Sequence, residues 1–437
     1  MIILGTARPA PQYYPWEGMT MQCFNNKLVQ SNGHSTSSSM SCVKGEEEYD
    51  LDIAMNYGFS AGSPQTLRYI TEHVEMVHNP PYEDWESCLT CGTTSALEIA
   101  LRVFCNLGDT VLVENYTYTG TISSIHAQGL NALGVEMDQY GLSPPDLNEK
   151  LENWDLSKGP KPFVLYTIPT GQNPTGITQS IERRREIYEV AVRHDLYIFE
   201  DDPYYFLQMT GPEGYASGTA GLAADDYLAQ LPPSYLSLDQ CGRVLRMDST
   251  SKILAPGLRC GWITACAQIT EKFASSAEVG VLAPSGPSQV MLYKLLDQTW
   301  GHTGFVEWLS TLSHQYLVRR DTLVKACAKS LPLDICRWEV PSAGMFLWIS
   351  VDVTKHPAFV RNTNGNGSGD LVLDIEDGVF RRSQENGVLI SKGSWFAVDH
   401  NSAQEVFFRL TFAAAPEELL NQGIEGFAKA VCSEFKE

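Results

Sequence analysis

Cys88-Leu89-Thr90-Cys91-Gly92-Thr93-Thr94-Ser95 is the stretch from which the fold can be read. Cys88–Cys91 is short and strand-like, and Gly92-Thr93-Thr94 turns the chain. Ser95–Leu107 then repeats apolar residues at helical spacing through Leu97, Leu101 and Phe104. Gly108 follows, where a helix end favours a left-handed residue. The alternation then recurs. Val111-Leu112-Val113 predicts a strand, 119–128 a helix and Ala132–Val135 a strand; Phe163-Val164-Leu165-Tyr166 predicts a strand, 179–194 a helix and Tyr197-Ile198-Phe199 another strand. Strands apolar on both faces and separated by helices imply an α/β fold, a mostly parallel sheet flanked by helices.

Upstream, Ile2-Ile3-Leu4-Gly5 reads as a short strand, and Pro9, Pro11 and Pro15 mark an extended segment that must lean on something else. Residues 31–49 are Ser-rich, end in Glu46-Glu47-Glu48 and predict a solvated loop. An amphipathic helix carries Leu67, Ile70 and Val74. Downstream, 207–235 reads as an insertion, Val244-Leu245-Arg246-Met247 as a buried strand, and Cys260–Thr264 as its successor. A long helix covers about 303–328. Strands near 336–349, 387–390 and 406–412, helices near 373–385 and 415–434, and a flexible Asn362–Gly369 loop predict a smaller α+β domain. The expected organisation is an amino-terminal segment, 1–49, packing on the small domain, a large domain, 50–315, and a small carboxy-terminal domain, 316–437.

With 437 residues, 43% of them apolar, the chain can bury a large core. A formal charge of -21 argues against nucleic acid and anionic membrane surfaces as partners. The 11 scattered cysteines read as reduced, partly buried thiols, and Cys88-x-x-Cys91 has no second such pair beside it. The nine histidines show no HxxxH spacing, so no metal site is expected. No leader-like or membrane-spanning run is present, which makes a cytoplasmic protein the expectation.

Ligands of such sheets sit beyond the carboxyl ends of the strands. Thr93, Tyr118, Asn173, Asp201 and Lys252 all fall there. In Asp248-Ser249-Thr250-Ser251-Lys252, with Arg259 after Pro256-Gly257, hydroxyls, backbone N–H groups and a guanidinium suit a phosphate. The Lys252 amine suits a carbonyl carbon. Phosphate and aldehyde together describe pyridoxal 5′-phosphate (PLP). The turn alone would equally serve as an ordinary surface turn; the reactive groups at five strand ends favour a site.

The chain resembles the fold-type I PLP-dependent aminotransferases, above all the fungal aromatic-amino-acid and the kynurenine/2-aminoadipate aminotransferases. The likeness rests on Tyr166–Gly176, Glu200–Leu207, Asp248–Arg259 with Gly261-Trp262, and Gly393-Ser394-Trp395-Phe396, and it extends over about residues 2–435. It implies that Lys252 holds PLP as a Schiff base and, once freed, shuttles the proton between the substrate Cα and the cofactor. Asp201, in preference to Asp202, would pair with the pyridine nitrogen. Asn173 and Tyr204 would bond the ring's 3′-oxygen, and Tyr118 would stack on the ring. Thr93 and Thr94 at a helix start would meet the phosphate together with Ser249, Ser251 and Arg259. Tyr57 matches a tyrosine that reaches the phosphate of a neighbouring subunit, implying a homodimer with shared sites. Arg409 matches the arginine that grips the substrate α-carboxylate, with Asn173 beside it. The plain alternatives are a structural ion pair for Arg409, and N-cap, turn and core roles for Asp201, Asn173 and Tyr204.

Relatives carry a longer arm before Ile2–Trp16 and a Gly-Gly pair near Thr6-Ala7. An open site of that kind would admit a bulky substrate. Two reactions therefore stay open: amino transfer from an aromatic or 2-aminoadipate-like amino acid to a 2-oxo acid, or β-elimination by a carbon–sulfur lyase acting on a cysteine conjugate in fungal secondary metabolism. A PLP-sensing regulator is disfavoured by the acidic charge and the lack of a basic DNA-binding region. An inactive binding relative is the remaining reading.

Overall fold

The computed structural model describes residues 5, 7–24, 37–209, 222–361, 368–398 and 405–436. The expected strand at Ile2–Leu4, Thr6, part of the insertion and most of the Asn362–Gly369 loop lie outside the described residues. In chain order the principal elements are β1 (Gly18–Phe24), β2 (Ser37–Val43), α1 (Pro64–His78), β3 (Trp85–Thr90), α2 (Thr93–Phe104), β4 (Thr110–Glu114), α3 (Thr119–Ala127), β5 (Asn131–Val135), β6 (Val164–Thr167), α4 (Ile181–His194) and β7 (Tyr197–Asp201). There follow β8 (Val244–Ser249), β9 (Gly261–Cys266), α5 (Gly301–Ser330), β10 (Cys336–Trp338), β11 (Phe346–Asp352), α6 (Ser368–Glu385), β12 (Ser391–Lys392), β13 (Glu405–Thr411) and α7 (Glu417–Glu434).

Seven strands form the main sheet in the order β3-β9-β8-β7-β6-β4-β5. β7 and β8 run parallel, as do β4 with β5 and with β6. The expected parallel sheet is therefore present, with one exception. β9 is antiparallel to both β8 and β3. The link between β8 and β9 is too short for the crossover that a parallel neighbour requires, so the chain turns straight back. Gly108 does take a left-handed φ of 88°, but it sits in the turn before β4, because α2 already ends at Phe104.

The chain divides into two compact units: Met1–Leu107 with Ala191–Phe206 and Thr219–Leu312, and Gly108–Val190 with Leu207–Gly218 and Ser313–Glu437. The second therefore takes in Gly108–Val190, which the sequence alone assigns to the larger domain. It also holds a four-stranded sheet, β10-β11-β13-β12. Leu347, Ile349, Val406, Phe408 and Leu410 on one face of that sheet share a core with Val379 of α6 and with Ile424, Phe427 and Val431 of α7.

In the first unit, β1 and β2 pair antiparallel, so Ser37–Val43 is a strand and not a solvated loop. Met40 and Cys42 point inward while Ser39 and Ser41 face solvent, a period of two hidden by the serines. Cys42 and Tyr49 share a core with Val290 and Tyr293, and Met19 and Met21 pack against it. The described strands of the amino-terminal segment thus have core partners within the first unit. Their apolar face meets apolar helix residues there.

β8 is buried at all six positions although two of them are charged. Arg246, fully buried, reaches Glu200 at 2.9 Å and Asp202 at 3.5 Å, and closes a two-pronged contact with Asp248 at 2.8 and 3.0 Å. The Tyr205 ring lies 4.7 Å from its guanidinium carbon. Burial works against the Arg246 charge, but the three carboxylates outweigh it and hold the group protonated. Removing the cation would strand three buried carboxylates. Arg246→Met is expected to cost about 3–5 kcal/mol, read as a lowered thermal midpoint, whereas a surface arginine such as Arg193 replaced the same way should change it little.

His73 on α1 is enclosed by Phe305 at 5.2 Å, Phe206 at 5.6 Å and Trp262 at 6.2 Å between centroids, and neither ring nitrogen finds a hydrogen-bond partner. Burial first, then the charges of His302 and Arg246, hold its pKa down at about 3 against an ordinary 6.5. The folded protein thus keeps His73 neutral where the unfolded chain takes up a proton. Its stability contribution is intact above pH 6.5 and is lost as pH falls toward 3, at up to about 1.4 kcal/mol per pH unit. Urea unfolding of His73→Phe beside the wild type should show the difference growing in that direction below about pH 6.5, and staying constant above it.

Candidate active site

In the first unit the carboxyl end of β8 runs into a turn that carries Lys252, which is partly buried. Thr250 pins this turn: its N–H and Oγ1 both donate to the Cys260 carbonyl, at 3.2 and 2.7 Å, and its own carbonyl accepts from Leu254 N–H at 2.9 Å. The Trp308 indole closes the far side by donating to the Ile253 carbonyl at 2.7 Å. Ser249 Oγ accepts from the Ser251 N–H at 3.1 Å, which ties the strand end to the turn.

Arg259, left-handed with φ 45°, folds back over the same region. It donates to the Pro256 and Cys91 carbonyls at 3.1 Å each and reaches Ser251 Oγ at 3.5 Å. Its guanidinium therefore lies beside the start of α2. That helix opens at Gly92 (φ 91°) with no side-chain cap, so the N–H groups of its first turn, at Thr93 and Thr94, stay open to an anion. A Cβ on Gly92 would sit 2.6 Å from Arg259 Nη2; the cradle exists because residue 92 has none. Open N–H groups, two serine hydroxyls and an arginine are a donor set that fits the phosphate of PLP, with the Lys252 amine following in the same turn.

Asp201 ends β7 beside Met247 of β8 and is buried, and Tyr204 is buried in the turn that follows. Tyr57 is not gathered into this group. It is 57% exposed in the loop before α1.

In the second unit, Tyr118 caps α3 half-buried, and its ring covers Gly120, where a Cβ would come within 2.4 Å of it. Asn173 is buried in the loop after β6. Its Oδ1 accepts from Arg409 Nη1 at 2.7 Å, and Ser391 Oγ accepts from Nη2 at 3.1 Å. The Arg409 guanidinium carbon lies 4.6 Å from the Phe346 ring centre and 4.7 Å from that of Phe396. Two rings and two hydrogen bonds fix the plane of the fork. Arg409 is thus part of a polar cluster with Asn173, not only of the apolar strand that surrounds it in sequence.

Sequence reasoning missed five contributors. Phe346 and Phe396 were legible only as strand and motif residues. Arg246 was hidden in a run read as apolar, although Glu200/Asp202 and Arg246/Asp248 each recur at a spacing of two, the signature of a shared strand face. Glu114 and Gln172 hold the Asn173 loop, and a charge closing the apolar run Val111-Leu112-Val113 was the available signal.

The aminotransferase class I and II family model matches residues 35–427. Aminotransferase swnA of Arthroderma benhamiae is 48% identical over 437 residues, which is 100% of this chain and 86% of that protein. An aromatic amino acid aminotransferase of Schizosaccharomyces pombe is 38% identical over 100% of this chain and 92% of its own. The crystal structure of aminotransferase Aro8 from Candida albicans superposes with a TM-score of 0.92 at 37% identity, covering 100% of this chain and 93% of that one.

Gly92→Ala adds both a left-handed strain and a contact with Arg259. It is expected to cost about 1–3 kcal/mol in urea unfolding. It should also weaken retention of a phosphate-bearing cofactor in equilibrium dialysis. Gly257→Ala, which meets nothing within 4 Å, is the comparison expected to leave both unchanged.

Proposed function

Because the chain belongs to the aminotransferase class I and II family, we propose that it moves the amino group of an aromatic or 2-aminoadipate-like amino acid to a 2-oxo acid, with PLP bound at Lys252. The observation that carries this reading is the Arg409 fork, held by Asn173 and Ser391 between the faces of Phe346 and Phe396. A planar guanidinium so fixed suits the α-carboxylate common to amino and 2-oxo acids. Trp348 and Phe407, stacked at 5.1 Å on the same sheet face, and Tyr116, 5.6 Å from Trp348, add aromatic surface that favours an aromatic side chain. Relatives named aromatic amino acid aminotransferases support the same class.

Bound PLP supplies a carbonyl carbon that condenses with amines and a ring that accepts carbanion charge. The Lys252 amine removes and returns the proton at the substrate Cα. Asp201 presents its buried carboxylate to the pyridine nitrogen and keeps that nitrogen protonated. Asn173 and Tyr204 donate to the ring's 3′-oxygen, and Tyr118 covers a ring face. The α2 start, with Ser249, Ser251 and Arg259, binds the phosphate.

The working form in this proposal is a cytoplasmic homodimer, with Tyr57 reaching the neighbouring copy's phosphate. Ile53, Tyr57 and Phe59, exposed by 67%, 57% and 75%, support such a covered surface. The eleven cysteines, none of them in a disulfide, support a reducing compartment.

The purified protein, incubated with a panel of amino acids and 2-oxoglutarate, should form glutamate most readily from aromatic donors. Lys252→Ala should lower that rate by at least about 10²-fold and remove the visible absorbance of the PLP-loaded protein. Stoichiometric pyruvate and free thiol from a cysteine S-conjugate, with no need for a 2-oxo acid, would overturn amino transfer in favour of elimination.

A further inference from the structure

Glu114 closes β4 with its carboxylate wholly buried. Oε1 accepts from Thr167 Oγ1 at 2.6 Å and from the Ile168 N–H at 3.1 Å, and Oε2 accepts from Gln172 Nε2 at 3.1 Å. Thr167 Oγ1 in turn accepts from Gln179 Nε2 at 3.1 Å. Gln172 Nε2 also donates to the Tyr116 carbonyl at 2.6 Å. Its Oε1 accepts from both the N–H and the hydroxyl of Thr175, at 2.9 and 2.7 Å. Its backbone N–H donates to the Ile177 carbonyl at 2.8 Å, and its carbonyl accepts from the Gly176 N–H at 2.7 Å. The loop from Ile168 to Ile177 belongs to no helix or strand, so this network stands where secondary structure would otherwise fix the backbone. Asn173 is the residue next to Gln172, and its Oδ1 receives Arg409.

We propose that Glu114 and Gln172 are positioning residues: together they set the place of Asn173 and, through its Oδ1, the aim of the Arg409 fork. The inference rests on the carboxylate-binding reading of Arg409 given above. Its chemistry requires a carboxylate at 114. Donors converge on both oxygens, and an acceptor-only group satisfies them all. An amide there turns an N–H toward one set of donors, either Thr167 and Ile168 or Gln172. The loop must then move, or a buried donor is left unmet.

The test compares Glu114→Gln with Val111→Ala, a buried apolar change on the same strand that lowers stability without touching the network. In the PLP-loaded protein, Glu114→Gln is expected to weaken binding of the unreactive carboxylate 3-phenylpropionate about tenfold. It should raise KM for both the amino donor and the 2-oxo acid more than it lowers kcat. It should also move the pH midpoint of the visible absorbance in the same direction as Asn173→Ala. Val111→Ala should leave all three near wild type. Equal effects of the two variants at matched loss of thermal midpoint overturn the positioning role and leave the functional reading standing. A wild type that neither binds 3-phenylpropionate nor transaminates overturns both.

Discussion

A single guanidinium holds the centre of the first unit in register. Arg246 bridges Glu200 and Asp202 on β7 to Asp248 on its own strand, with every partner removed from water. Such a cluster gains little net stability over well-packed apolar residues, because desolvation offsets attraction. What it does contribute is specificity. Glu200 pairs with Arg246 and Asp201 with Met247 across the two strands. Because side chains alternate along a strand, a slip by one residue would turn Asp201 to the face now occupied by the ion cluster and send charges where Asp201 now stands. The charges on one face therefore hold Asp201 to the other, and they fix where β8 ends and the Lys252 turn begins.

The second unit solves a similar problem by another means. Its Asn173 lies on a loop, which no strand register can hold. A buried carboxylate at 114 gathers donors from Thr167, Ile168 and Gln172 and so ties the loop to the end of β4. Close backbone approach does the rest. Gly171 faces Gly344 so tightly that a Cβ on either would come within 3 Å of the other's backbone. Buried charge at both places sets geometry for a neighbouring residue, and the two differ in whether the counterpart is a cation or a ring of donors.

This division explains what the sequence made legible. β4, β6, β7 and β8 each contain a short apolar run buried on both faces, so composition alone separates them from the helices between. Asp201, Asn173 and Lys252 stood out because each is polar or reactive at the end of such a run. The antiparallel return of β9 was not visible, because strand direction depends on the reach of a connection and not on its composition. β2 was masked by serines that alternate with Met40 and Cys42. Arg246 and Glu114 were missed for a common reason: the spacing of two and the charge closing an apolar run are signals, but the role of each charge depends on partners that other segments bring to it. Phe346 and Phe396 took on meaning only when folding placed Arg409 between them.

The local character of these contacts also reconciles the acidity of the chain with the anions its cations suit. A formal charge of -21 would repel a phosphate or a carboxylate if it acted at long range. At physiological ionic strength, exposed charges are screened beyond about 8 Å, and most of the excess carboxylates are solvated surface groups. Arg409 and Arg259 act at hydrogen-bond distance instead. The first is flanked by two rings and the second lies against an uncapped helix start. Water is partly excluded at Arg409, which strengthens its local charge, while the exposed Arg259 acts through its short range alone. The rings around Arg409 serve a second purpose. They offer the guanidinium faces to lie against, so the plane of the fork stays fixed.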